Sequence, residues 1–245
     1  MKAVFTHAGL GGEAGEYKLL TQSFLYKFLN DKFLYEAQDV DSENTYDRLV
    51  SMSEEDYDWL LEDIGTSTAW MKPNQFIETL HRKQNESDFY ETFENTLNQI
   101  AIDNNDIFSV HTDGDTAIRL FDERLITDTI SDSSKRNEVA KAIINLLARV
   151  KFDETIFSQG FDFFSTLFEY MIKDYNKDGG VKYAEYYTPH SVAKIIADIL
   201  VGNDQPSNVR IYDPSAGSGT LLMNLASRIG VDKILFTVRI YRKVI

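Results

Sequence analysis

No cysteine occurs in these 245 residues. Disulfides, thiolate zinc sites and a cysteine nucleophile are therefore excluded, and a cytoplasmic location is the natural expectation. The four prolines are never adjacent. No apolar run approaches the length of a bilayer span, so no membrane role is expected. The opening Met1-Lys-Ala-Val-Phe-Thr-His7 lacks the long apolar core of a signal peptide. His7, His81, His111 and His190 fall at no metal-ligand spacing, and no metal is expected. Positive charge is scarce and unevenly placed. Of 25 basic and 39 acidic residues, eight and five lie from Val181 onward, leaving 17 and 34 before it. The first 180 residues thus carry a net charge of −17. Such a surface repels a phosphate backbone, so this part is no independent grip on nucleic acid.

What is present is mostly helical periodicity. Residues 1–16 read as a flexible leader, rich in glycine. From Tyr17 to Ala37, Leu20, Phe24, Phe28 and the Leu25–Leu29 pair recur at spacings of three and four, with Lys18, Lys27, Asp31 and Lys32 on the complementary face. An amphipathic helix is expected there. Further helices are expected over Glu54–Ile64, ended by Gly65; after Pro73, carrying Phe76, Ile77 and Leu80; and over Phe89–Ile102. Asp103–Asp115 reads as a solvated loop. Asp132-Ser-Ser134 offers caps to a helix carrying Val139, Ile143, Leu146 and Leu147, and Phe161–Tyr175 repeats the pattern.

Two later segments carry chemistry. Val209-Arg-Ile-Tyr-Asp213-Pro-Ser-Ala-Gly217-Ser-Gly219-Thr-Leu-Leu222 reads as strand, small-residue turn and helix start. A glycine turn lets a ligand approach the main chain, and the helix start supplies unsatisfied N–H donors. At the carboxyl end of a parallel strand this is a common small-molecule site. Glycines alone also fit a tight turn without ligand. Before it stands Glu185-Tyr186-Tyr187-Thr188-Pro189-His190, in which Thr188 and Pro189 suit an N-cap and a first helical residue. The helix beyond carries Val192, Ile195, Ile196, Ile199 and Leu200. By itself that segment fits a capped helix with aromatic packing in front. In sequence, however, it leads into the glycine turn, so two helix starts are placed to meet one ligand. A nucleotide phosphate loop is disfavoured, because Gly219-Thr220 lacks the preceding lysine.

In this order, Tyr186-Tyr-Thr-Pro189 and Asp213-Pro-Ser-Ala-Gly-Ser-Gly219 resemble the modification (M) subunit of type I restriction-modification systems, an N6-adenine DNA methyltransferase. Glu16-Tyr17-Lys18 and Phe161–Tyr170 are similar to that family's N-terminal domain. The resemblance implies a mostly α N-terminal helical domain over 1–158, followed over 159–245 by the start of an α/β, Rossmann-like, S-adenosylmethionine-dependent catalytic domain. It implies cofactor contacts from Glu185, Tyr186, Tyr187, Thr188, Pro189, His190, Asp213, Pro214, Gly217, Ser218, Gly219 and Thr220. The backbone at Gly217–Thr220 would lie against the methionine portion, Thr188 and its helix start would meet the carboxylate, and His190 would stand at the pocket edge. The implied partners are a specificity subunit, a restriction subunit, a second M subunit, and DNA mainly through the complex.

The family's Asn/Asp-Pro-Pro-aromatic motif, which holds the flipped adenine, has no counterpart here, and no catalytic residue is assigned. The chain is therefore expected to be truncated and inactive alone. Lys233–Ile245 holds four basic and no acidic residues, and a frameshift near Ile234 is expected to account for that tail. The alternatives left open are a non-catalytic module docking on a specificity subunit or another M subunit, and an acidic DNA mimic.

Overall fold

A 27-residue helix, α2 (Ala14–Val40), is the axis of the first of two units into which this computed structural model divides, Met1–Phe157 and Ser158–Ile245. The structure describes residues 2–7, 9, 14–66, 68–105, 110–111, 117–118, 120–159, 188–204, 206–216, 219–230 and 233–238. From Glu16 to Val40 the sequence has neither glycine nor proline, so nothing interrupts the helical ladder. The expected helix is present but extends further at both ends, and it is not two-faced. Leu19, Ser23, Tyr26, Asn30, Phe33 and Ala37 are buried along one line, and Glu16, Leu20, Lys27 and Asp31 along another. Lys27 and Asp31, expected on the wet face, pair at 2.9 Å in the interior. Asp31 also accepts from the Phe152 N–H at 2.8 Å and from the Asn30 amide at 2.8 Å, while the Asn30 carbonyl accepts from the Ile77 N–H at 2.9 Å. A helix wrapped on several sides needs polar groups that reach neighbouring backbone, and Asn30 and Asp31 provide them.

Around α2 stand α1 (Lys2–His7), α3 (Tyr46–Ser51), α4 (Glu54–Ile64), a 3₁₀ turn (Pro73–Gln75), α5 (Ile77–Lys83), α6 (Phe89–Asp103), α7 (Leu125–Thr129), α8 (Ser133–Arg149) and α9 (Glu154–Gln159). The expected apolar stripes face the core: Tyr57, Leu60 and Ile64 of α4, Phe89, Phe93, Leu97 and Ile100 of α6, and Val139, Ile143 and Leu147 of α8 are buried. Tyr26 meets Phe93 edge-on at 6.1 Å, and Phe33 lies 5.8 Å from Phe76. Each fully buried ring contributes about 1.5–3 kcal/mol. Asp132 accepts from the Ser134 N–H and Gly65 ends α4, as read, and the Ser53 hydroxyl, not singled out in the sequence, accepts from the Asp56 N–H.

Two further expectations fail in this unit. The leader is not unstructured throughout: α1 buries Phe5 completely, and Glu16 is likewise fully buried within α2. The loop over 103–115 contains Val110–His111 (β1), which pairs antiparallel with Ala117–Ile118 (β2). The first departure comes from a short segment that packing of Phe5 recruits, the second from local strand pairing. The helix expected over Phe161–Tyr175 lies outside the described residues.

The second unit contributes α10 (His190–Val201), β3 (Val209–Asp213), α11 (Thr220–Ile229) and β4 (Ile234–Val238). The expected strand, turn and helix are all present. The basic tail's alternating residues form a true strand, with β4 parallel to β3 and Val209 through Asp213 opposite Ile234 through Val238. α10 packs on α11, but not through the large side chains that its sequence advertises. Ala193, Ala197 and Val201 are buried, as are Leu222 and Ala226 of α11, whereas Ile195, Ile199 and Leu200 are 59, 74 and 67% exposed. The small residues allow the helix axes to approach, and this selects the alanine face for contact.

Candidate functional site

The chain reverses at the carboxyl end of β3. Asp213, its last residue, accepts the Ser215 N–H on Oδ1 at 2.9 Å, which folds Pro214 and Ser215 back into a turn. Gly219 closes that turn. Its N–H donates to the Ala216 carbonyl at 2.7 Å, and its own carbonyl accepts the Met223 N–H at 2.9 Å, opening α11. Gly219 has φ +75°, in the left-handed region that a side chain disfavours. A Cβ built there would meet nothing within 4 Å, so the space beside this backbone is open. Thr220 follows as the first helical residue and is only 4% exposed.

Across from this turn stands the start of α10. Pro189, not Thr188, is the N-cap, and its carbonyl accepts from the Val192 and Ala193 N–H groups at 3.0 and 3.1 Å. The expectation was one residue early. Proline caps by its extended backbone (φ −55°, ψ 136°) and makes no side-chain capping bond, so His190 becomes the first helical residue.

Two polar contacts join the helices. Near their starts the Asn224 amide reaches the His190 ring at 3.2 Å, and near their ends the Arg228 guanidinium meets Asp198 at 3.1 Å and donates to the Gly202 carbonyl at 2.8 Å. Start contacts start and end contacts end, so α10 and α11 run in the same sense. Thr188–His190 and Gly219–Thr220 therefore lie at one end of the pair, the end at which β3 delivers Asp213. Thr188, Pro189, His190, Asp213, Pro214, Gly219 and Thr220 are all in this region. Glu185, Tyr186, Tyr187, Gly217 and Ser218 lie outside the described residues. Sequence reading missed Asn224. It is 6% exposed, its nitrogen also donates to the Thr220 carbonyl at 2.7 Å, and its position four residues past Thr220 was the available signal.

Elsewhere, a cleft of about 580 Å³ in the first unit is lined by Lys27, Asp31, Tyr46, Phe76, Arg82 and Phe152 among others. The Arg82 guanidinium lies 4.8 Å from the Tyr46 ring there. Within this cleft Lys27 pairs with Asp31 and Arg82 with Glu78. Among the described residues no His, Asp and Glu group is arranged to hold a metal ion, and no helix is long and apolar enough to cross a membrane.

Residues 159–241 match the family described as N-6 DNA methylase. The match takes in both motif segments and the described elements of the second unit. The Type I restriction enzyme MpnII methylase subunit of Mycoplasma pneumoniae is 24% identical over 219 residues, covering 85% of this chain and 39% of that protein. The Type I restriction enzyme MjaVIII methylase subunit of Methanocaldococcus jannaschii is 24% identical over 208 residues, covering 85% and 32%. The crystal structure of the type I restriction-modification system methyltransferase subunit from Streptococcus thermophilus superposes with a TM-score of 0.66 at 21% identity, over 98% of this chain and 52% of that one. At that identity the likeness speaks for the fold, here mostly helical with a small parallel sheet. The chain spans about a third to two fifths of the curated relatives' length and about half of the crystallised one. The resemblance to type I modification subunits, read first from the paired motifs, is borne out.

Proposed function

We propose that this chain supplies the N-terminal helical domain (1–158) and the start of the Rossmann-like catalytic domain (159–245) of a type I modification subunit. The whole subunit would transfer a methyl group from S-adenosylmethionine to adenine N6 in DNA. The observation that carries this reading is the open space beside the left-handed Gly219, at the carboxyl end of a parallel strand and at the end of the helix pair where Thr188 and Pro189 stand. A glycine there keeps clear a cradle that any Cβ would partly fill, as a cofactor lying on the main chain requires.

The cofactor supplies an electrophilic methyl group on sulfonium. This chain's residues bind and orient it. The Gly217–Thr220 backbone would lie along the methionine portion, and Asp213, with Oδ1 engaged by Ser215, would offer its second oxygen to the ammonium or an ordered water. The start of α10, with Thr188, would meet the carboxylate. Tyr186 or Tyr187 would wall the pocket, and Glu185 is among the contacts that the resemblance implies. The adenine amine must be held by other groups, because no Pro-Pro pair occurs in these residues. Target choice falls to a specificity subunit, and docking on it, on a restriction subunit and on a second M subunit suits a helical unit whose acidic surface repels DNA. Such an assembly would work in the cytoplasm.

Titration calorimetry of the full chain with S-adenosylmethionine tests the reading. Saturable binding that ATP does not displace is expected, with no methyl transfer to DNA by the chain alone. Absence of binding at millimolar cofactor, or displacement by ATP, would overturn it.

A further inference from the structure

Asn224 belongs to neither motif, yet among the described residues it links the two motif segments. Its side-chain nitrogen lies 2.7 Å from the Thr220 carbonyl oxygen and 3.2 Å from Nδ1 of His190. A carbonyl can only accept, so the Thr220 contact fixes which end of the amide is the NH₂ group. Its second hydrogen then points at the imidazole, and His190 Nδ1 must be the acceptor. The ring proton therefore resides on Nε2. One buried amide binds the first residue of α11 and the first residue of α10 together, and it selects the histidine tautomer.

We propose that Asn224 is the positioning residue of the cofactor site, holding the Gly219–Thr220 turn and the Pro189–His190 helix start in a fixed relation through a neutral, Nε2-protonated His190. The ligand part of this inference rests on the S-adenosylmethionine reading above. The contact with Arg228 holds the far ends of the same helices, so loss of the Asn224 bridge acts at the motif end. The amino-acid portion of the cofactor is the part laid against both segments, and it is the part whose binding depends on their spacing.

The full chain and its Asn224→Asp and His190→Leu variants test this. Asn224→Asp keeps the shape but replaces the donor by acceptors. His190→Leu removes the acceptor at a half-exposed helix start and leaves the Thr220 bond intact, so it reports even if the first variant folds poorly. Each protein is titrated with S-adenosylmethionine and with 5′-methylthioadenosine, which keeps the nucleoside and lacks the amino acid. We expect about a ten-fold loss of affinity for the first ligand in both variants and no change for the second. Equal losses for the two ligands, or none, would overturn the proposal, since a merely structural role weakens both alike. Imidazole nitrogen NMR, with His190 assigned from the signal that the leucine variant lacks, should show an unprotonated Nδ1 in the parent and a protonated one in Asn224→Asp. A protonated Nδ1 in the parent refutes the bridge whatever the ligand does. Should the parent bind neither ligand, the cofactor reading fails with the ligand part of this one, and the imidazole spectrum still decides the bridge.

Discussion

Gly219 separates two effects that a single substitution would confuse. Its φ of +75° makes any ordinary side chain strained, while the open space around its would-be Cβ means that no protein atom is struck. In Gly219→Ala the strain alone should act on the folded chain, at about 1–2 kcal/mol. That corresponds to roughly a 5- to 30-fold rise in local opening. Gly219→Asn carries a Cβ into the same space but tolerates the left-handed conformation, so its penalty should be a fraction of the alanine one. Cofactor binding should order differently. Both variants place a carbon where the ligand would lie, so both should lose at least ten-fold in affinity, about 1.4 kcal/mol. Hydrogen exchange of peptides spanning 209–230 reads the first effect, and calorimetry with S-adenosylmethionine reads the second. Trp59 and Trp70 both lie in the first unit, and their fluorescence should be unchanged, a control within the same molecule. If Gly219→Asn binds cofactor as well as the parent, the space is not the ligand's and the cradle argument is wrong. If the alanine variant exchanges no faster than the asparagine one, the left-handed backbone is not the reason glycine stands there.

Three further outcomes follow from the packing. Lys27→Met leaves Asp31 charged in the interior and should cost about 3–5 kcal/mol; Asp31→Leu should cost at least as much, because the Phe152 N–H and the Asn30 amide lose their acceptor as well. Urea titration followed by tryptophan emission checks both, and a cost below about 1 kcal/mol would mean that water reaches the pair. Burial opposes ionisation of Asp103, but hydrogen bonds from Gln99, Lys72 and Gln75 outweigh it and hold the carboxyl below the usual carboxylate range. A lowered folded pKa gives stability that is complete above the unfolded value, about 3.9, and lost as pH falls through the folded one. Thermal melts at pH 3 to 6 should show Asp103→Asn less acid-sensitive than the parent, and identical profiles would refute the assignment. On α10, Ile199→Lys should change stability by less than about 0.5 kcal/mol and reduce light scattering, while Ala197→Lys should break the contact with α11; an equal response would mean that the two faces are not distinguished.

The helical unit was legible wherever one face alone is buried. α4, α6 and α8 show their periodicity because solvent selects polar residues for the other side, and the caps of α4 and α8 are local chemistry. α2 misled because it is wrapped by neighbours: Lys27, Asn30 and Asp31 look like a wet face until Phe152 and Ile77 arrive, the first more than a hundred residues later in the chain. α10 misled in the opposite way. Its large aliphatic residues resemble a core stripe, but close approach to α11 is set by Ala193 and Ala197, and hydrophobicity alone does not report axis distance.

The site divides along the same line. Asp213, Gly219 and Thr220 are neighbours in sequence, and a strand ending in a glycine turn before a helix must bring them together, so spacing alone predicted their geometry. Pro189 and His190 join them only because α10 runs in the same sense as α11, and nothing within either motif states that. The residues that do, Asn224 with His190 at one end and Arg228 with Asp198 at the other, are separated by 34 and 30 positions and resemble ordinary helix-surface residues. A motif records the atoms that meet a ligand; the bonds that hold two motifs at a fixed spacing are recorded by polar residues one turn further into the helix, where an amide buried among apolar side chains must find partners.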